Sequence, residues 1–300
     1  MHLLPRIVAV ALSLAGPIAW TAVPALAQAQ DAKPVVVTSV PLELSGGRPA
    51  IRVGIGDGGA ELTATWDTGA MGISIRRSVA ERLALPVVGE VMVGSPFGGE
   101  PVHAKVVGLA ALTVGGAAQE RNGRSLDAIV LEDARFIANT DLVIGPNQFP
   151  RRLLELDLAR WRLRILPAPS AAAAEWLATG PGGLLKTELK IEGRNVPAHI
   201  DTGSPHGLDL PDRLAEQLTL KVPPRDAGQI RTVNAQLPVR TAPWSGSFDL
   251  AGQTLRYDGE LRFAPIPLAN AGTAALRGSV IRIDTAHARW QLSAPAPVAG

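Results

Sequence analysis

Two stretches decide the reading of this chain: Ala64-Thr65-Trp66-Asp67-Thr68-Gly69-Ala70 and Ala198-His199-Ile200-Asp201-Thr202-Gly203-Ser204. Each carries Asp-Thr-Gly at the end of an apolar, strand-like run. With each residue type at about 5–7% usage, a given tripeptide falls at a given position about once in roughly five thousand. One isolated copy reads equally well as an Asx turn after a strand. Two copies in matched settings point instead to a pair of carboxylates.

The flanks repeat as well. Gly72-Ile73-Ser74-Ile75 and Val79-Ala80-Glu81-Arg82-Leu83-Ala84-Leu85 follow the first motif, and Gly207-Leu208-Asp209-Leu210 and Leu214-Ala215-Glu216-Gln217-Leu218-Thr219-Leu220 follow the second. Leu142-Val143-Ile144-Gly145 in the first half and Leu276-Arg277-Gly278 in the second read as matching apolar segments ending in glycine. Leu156-Asp157 with Ala159-Arg160-Trp161, and Ile283-Asp284 with Ala288-Arg289-Trp290, close the two halves alike. Repetition over more than a hundred residues per copy implies an internal duplication into two lobes rather than a solenoid.

Three hundred residues at 46% hydrophobic and 19% charged suit two compact lobes, and aromatics at 4% leave the cores to Leu, Val, Ile and Ala. A net charge of +2 without a basic stripe argues against nucleic-acid binding. No cysteine is present, which excludes disulfides, thiol catalysis and cysteine metal sites. Five histidines show no His-Glu-x-x-His spacing, so neither metal nor cofactor is expected. Gly54-x-Gly56-x-x-Gly59 lies in a hairpin turn with no following helix and is discounted as a dinucleotide fingerprint, and no Gly-x-Ser-x-Gly elbow occurs.

Residues 1–27 read as a signal peptide: a weakly positive start, an apolar stretch, and Ala25-Leu26-Ala27 as a small-x-small cleavage site. An uncleaved anchor is the competing reading, although Gly16 and Pro17 interrupt a stretch already short for a membrane span. The expectation is an exported protein, periplasmic or secreted, without stable membrane insertion after cleavage. A lead segment (28–39), lobe 1 (40–166), a linker (167–183) with a helical turn at Ala171 to Leu177, lobe 2 (184–294) and a tail (295–300) complete the organisation.

Each lobe is expected to be mostly strand. Gly56-Asp57-Gly58-Gly59 and Gly193-Arg194-Asn195 are hairpin turns. One short helix per lobe is expected, the first capped by Ser78 with Glu81 and the second by Asp212. The absence of βαβ alternation argues for an all-β class.

With these residues in view, the chain resembles the retropepsin- and pepsin-like aspartic proteases, closest in lobe length to bacterial retropepsin-like domains fused in tandem. The resemblance covers most of residues 40–166 and 184–292. It implies a bilobal fold of two β-barrel lobes and an aspartic endopeptidase active as a monomer on a peptide or protein substrate. Asp67 and Asp201 would be the catalytic pair, sharing one proton because mutual repulsion separates their ionisations. Thr68 and Thr202 would reach across to the opposite loop. Gly69 and Gly203 would let the backbone approach the carboxylates, and Gly145 and Gly278 would pack behind them. Ser204, where the first motif has Ala70, would donate to Asp201. The flaps would be Gly94, Ser95, Phe97, Gly98 and Gly99 in lobe 1, and Val233 and Asn234 in lobe 2. Neither flap carries the pepsin-type tyrosine, since the single tyrosine is Tyr257. His199 either borders the cleft or sits at a solvent edge. The competing class is a weakly active or inactive peptide-binding module, which Arg277 in an apolar slot permits.

Overall fold

The computed structural model describes residues 38–56, 60–94, 97, 99–119, 126–133, 139–169 and 176–295. The signal segment, most of the lead, Ser95, Gly98, Ala171 and the end of the tail lie outside the described residues. The fold is all-β, with one six-residue α-helix, Arg77–Arg82, among the described residues.

Alternation and turn chemistry form the strands. Leu185–Ile191 reads Leu-Lys-Thr-Glu-Leu-Lys-Ile, and its Leu and Ile side chains are buried while its lysines face solvent. A two-residue turn, Glu192-Gly193, reverses it into Arg194–Asp201, with Ile191 opposite Arg194. Both turn residues have positive φ, 47° and 77°, the geometry that matches strand twist. The Glu192 carboxylate ties this strained corner down by accepting the Thr219 amide (2.8 Å) and the Trp244 indole N–H (3.2 Å).

A ten-stranded sheet from the first half and a seven-stranded sheet from the second are joined by a six-stranded one. In the first, Leu142–Ile144 lies parallel to Ala60–Trp66 and antiparallel to Ile73–Arg76. In the second, Ala269–Gly272 lies parallel to Arg194–Asp201 and antiparallel to Leu208–Pro211. The six-stranded sheet sets Arg152–Asp157 beside Val280–Asp284, flanked by Arg162–Pro167 and Arg289–Ser293. Glu155 at that seam accepts from Arg164 (2.9 Å) and Arg282 (2.7 Å), one from each half.

Register corrects three readings of the sequence. Gly145, whose amide donates to the Gly72 carbonyl (2.9 Å), is matched by Gly272, whose amide donates to Gly207 (2.7 Å). Gly278 instead occupies a turn at φ 81° with open space where a Cβ would lie, so Arg277 intrudes on no packing slot. The two Ala-Arg-Trp triplets are not equivalent either. Asp157 caps Ala159 and Arg160, and Asp284 caps Ala286 and His287. That pairing aligns Trp161 with Ala288, both at φ near 50°.

The helix is not capped as expected. Ser78 lies inside it and bonds Asp133 of a distant loop through both its amide (3.2 Å) and hydroxyl (2.6 Å). Asp212 begins a 3-10 turn, makes no cap bond, and accepts from Arg240 (3.1 Å). Thr38 and Ser39 of the lead form an edge strand on Arg162–Pro167. Leu177 of the linker pairs with Trp290 as strand rather than helix. The few aromatics concentrate in the core, where Trp66, Trp290, Phe149, Phe248 and Phe263 are the largest fully buried side chains.

Candidate active site

Asp67 directly follows the Ala60–Trp66 strand, and its amide donates to the Ile144 carbonyl (3.0 Å). Asp201 ends the Arg194–Asp201 strand. Both loops turn alike, the Ala70 amide donating to the Asp67 carbonyl (3.2 Å) and the Ser204 amide to the Asp201 carbonyl (3.1 Å). The Gly69 amide donates to Asp67 Oδ1 (2.7 Å). A Cβ on Gly69 would stand 2.9 Å from Asp201 Oδ1, and one on Gly203 would overlap the Asp67 carboxylate. Each glycine therefore lies against the opposite aspartate, where no side chain fits.

Two threonines hold this geometry reciprocally. Thr68 Oγ1 donates to the Ile200 carbonyl (3.0 Å) and accepts the Thr202 amide (3.0 Å). Thr202 Oγ1 donates to the Trp66 carbonyl (2.7 Å) and accepts the Thr68 amide (3.1 Å). All four bonds are buried and cross between the halves, so removing either hydroxyl leaves an amide and a carbonyl without partners.

Burial drives the Asp67 carboxyl well above its ordinary range, the Asp201 charge and a shared hydrogen bond add to this, and the Gly69 and Gly203 amides oppose it. These surroundings favour the protonated form of Asp67. Asp201 Oδ2 accepts from Asn270 Nδ2 (3.1 Å), which also donates to Asp209 Oδ2 (3.2 Å). That corrects the expectation for Ser204, whose hydroxyl serves Asp209 instead. Arg48 was missed in the sequence. Its Nε donates to the Gly203 carbonyl, and its charge is attracted first by Asp201 and then by Asp67. The Gly46-Gly47-Arg48 turn is its local signal, because Gly47 closes on Pro205 at φ 81°.

Above the pair, Val87–Val93 and Val102–Leu109 form a hairpin. Its tip carries Gly94, Phe97 and Gly99; Ser95 and Gly98 lie outside the described residues. The Phe97 ring meets His199 edge-on, with centroids 5.6 Å apart. His199 is 2% exposed, so the solvent-edge reading fails. The opposing tip is the turn Thr232-Val233-Asn234-Ala235, closed by the Thr232 amide on the Ala235 carbonyl (2.8 Å). The tips touch, Asn234 Nδ2 donating to the Glu100 carbonyl (3.3 Å). Tyr257 sits elsewhere, packed against Gly207 and Gly259.

Asp209 supplies a stability test. Burial pushes its carboxyl up to about 6, against the opposing pull of Arg262, Asn270 and Ser204. A raised folded-state value favours the protonated form, so this contribution is complete below pH 3.8 and is lost as pH rises through 6. The loss amounts to about 3 kcal/mol. In thermal melts the wild type should lose stability from pH 4 to 7, and Asp209→Asn should flatten that decline. An equal decline in both would refute the assignment.

Residues 51–145 match the aspartyl protease family. The match spans Asp67, Thr68, Gly69, Ala70, Gly145 and the first flap; Asp201 lies beyond it. No curated protein matches the chain. Among the described residues no helix is long and apolar enough to cross a membrane.

Proposed function

From the match of residues 51–145 to the aspartyl protease family, we propose that this chain is a two-lobed retropepsin-like aspartic endopeptidase, exported and active as a monomer. The observation that carries this reading is the contact of Asp67 with Asp201 beneath two meeting hairpin tips, held by the reciprocal threonine bonds. Ionised Asp201 takes a proton from the attacking water. Asp67 gives its proton to the carbonyl oxygen of the scissile bond, and a tetrahedral diol forms. Collapse of the diol breaks the C–N bond, the nitrogen receives a proton from the pair, and two peptides leave. One chain supplies both carboxylates, so no dimer is needed.

Turnover of a peptide library by residues 28–300, blocked by a statine-type mimic of the diol, is the expected result. Binding of peptides without turnover would establish the peptide-binding module instead. The Arg277 argument for that alternative no longer applies, because register places Gly272 in the packing slot.

The unequal surroundings of the two carboxyls predict a bell-shaped pH profile whose acid limb depends on Asn270. Its amide donates to the singly protonated pair, so Asn270→Val should move the acid limb of kcat/KM to higher pH. Only the apparent values of the pair are observable. A limb that stays in place would show that this donor does not set the protonation order.

A further inference from the structure

Four residues stand in register across adjacent strands of the second sheet: His199 opposite Asn270, Asn270 opposite Asp209, and Asp209 opposite Arg262. The corresponding positions of the first sheet hold Thr65, Val143, Ser74 and Ile129. In-register residues share a sheet face. Here it is the face of the carboxylates, since Asn270 bonds Asp201 and the flap residue Phe97 covers His199. One wall of the cleft is therefore polar where the other carries an isoleucine, a valine and two hydroxyls.

Stability does not explain the polar wall. Asn270 and Asp209 are almost fully buried, and Arg262 pairs with Asp209 at 3.2 Å. A buried ion pair is seldom more stable than apolar residues of similar volume. The His199 ring and the Asn270 side chain interact by a hydrogen bond that favours the charged ring, and beyond it neither His199 nitrogen nor Asn270 Oδ1 has a partner of ordinary geometry among the described residues. A buried polar group without a full set of partners is destabilising. The first sheet builds the same pairing without this cost. His199 lies against the flap residue Phe97 and Asn270 against Asp201, so on the peptidase reading the row borders the path of a bound peptide.

We propose that this wall is a subsite for an uncharged hydrogen-bonding side chain of the substrate, a carboxamide (Gln or Asn) above all. The inference rests on the peptidase reading. A neutral imidazole offers one donor and one acceptor, and Asn270 Oδ1 adds an acceptor; a carboxamide matches both kinds. Burial lowers the His199 pKa against the pull of Asp201 and Asn270, which keeps the ring neutral. Above pH 6, where Asp209 is ionised, it and Arg262 compensate each other, so at neutral pH the wall presents no unbalanced charge to a Lys or Glu. The substrate side chain displaces Phe97 from His199 as it enters. A site built on hydrogen bonds discriminates strongly against an analogue that cannot make them, because its own groups are then left unpaired.

The test uses fluorogenic peptides that differ only by Gln or Leu on either side of the scissile bond. Wild type should cleave the Gln peptide at least about tenfold better in kcat/KM on one of the two sides. His199→Leu should abolish or reverse that ratio, and His199→Gln should keep it. Asn270→Val is a second variant, read by the same ratio, because its bond to Asp201 makes its absolute rate uninformative. Thermal melts establish that the variants fold. A wild type that prefers Leu on both sides, or folded His199→Leu and Asn270→Val variants that both retain the Gln preference, overturns the proposal. If wild type cleaves nothing, the same peptides are titrated by fluorescence anisotropy. Tighter Gln binding that is lost in His199→Leu then upholds the subsite while the peptidase reading fails; equal binding or none overturns both.

Discussion

Asp67→Asn and Asp201→Asn should each lower kcat/KM by about four orders of magnitude or more, and the double variant should be little worse than either. On the proposed mechanism the pair acts as one unit: one carboxyl must be ionised to take the proton of water while the other holds a proton for the carbonyl oxygen. An amide in either place removes one of those states. The fold should survive, because burial and the neighbouring charge already disfavour ionisation of Asp67. Asp67→Asn should melt no lower than wild type at pH 7. A single variant with near-normal turnover would mean that the chemistry does not run through both aspartates.

Gly272→Ala should have the next largest effect, and Gly278→Ala serves as its control. A Cβ on Gly272 would overlap the His206 carbonyl and stand 2.9 Å from both the carbonyl and the hydroxyl oxygen of Ser204. These atoms belong to the loop that follows Asp201, so relief requires moving that loop. The expected cost is about 3 kcal/mol, or roughly 6–12 °C in melting temperature, with a large fall in kcat/KM. Gly278→Ala meets no atom and carries only the penalty of positive φ, about 1–2 kcal/mol, with its rate constants unchanged. Equal effects at the two glycines, or a larger one at Gly278, would restore the alignment suggested by Leu276-Arg277-Gly278.

Those two glycines show where linear reading stops. Leu276-Arg277-Gly278 shares a leucine and a closing glycine with Leu142-Val143-Ile144-Gly145, whereas Ala269-Asn270-Ala271-Gly272 shares only the glycine. Strand pairing, not composition, settles which segment lies behind Asp201. Ser78 and Glu81 likewise fit a capping box by spacing, yet Asp133, 55 residues away, makes the bonds. Spacing describes only neighbours in the chain. The family resemblance points to Ser204 as the donor to Asp201, while the donor is Asn270, 69 residues on.

The sequence by itself determined the all-β class, the hairpin at Gly193, the strand-ending positions of both Asp-Thr-Gly motifs and the match of residues 51–145 to the aspartyl protease family. Each of these is written in local alternation, turn residues and short motifs, where the physics acts over a few residues. Only the tertiary structure decided that Arg48 lies beside Asp67 and Asp201, that Gly272 takes the place given to Gly278, and that His199, Asn270, Asp209 and Arg262 form one row. Those residues come from strands far apart in the chain, and cross-strand register, which aligns them, depends on the partner strand as much as on the strand itself.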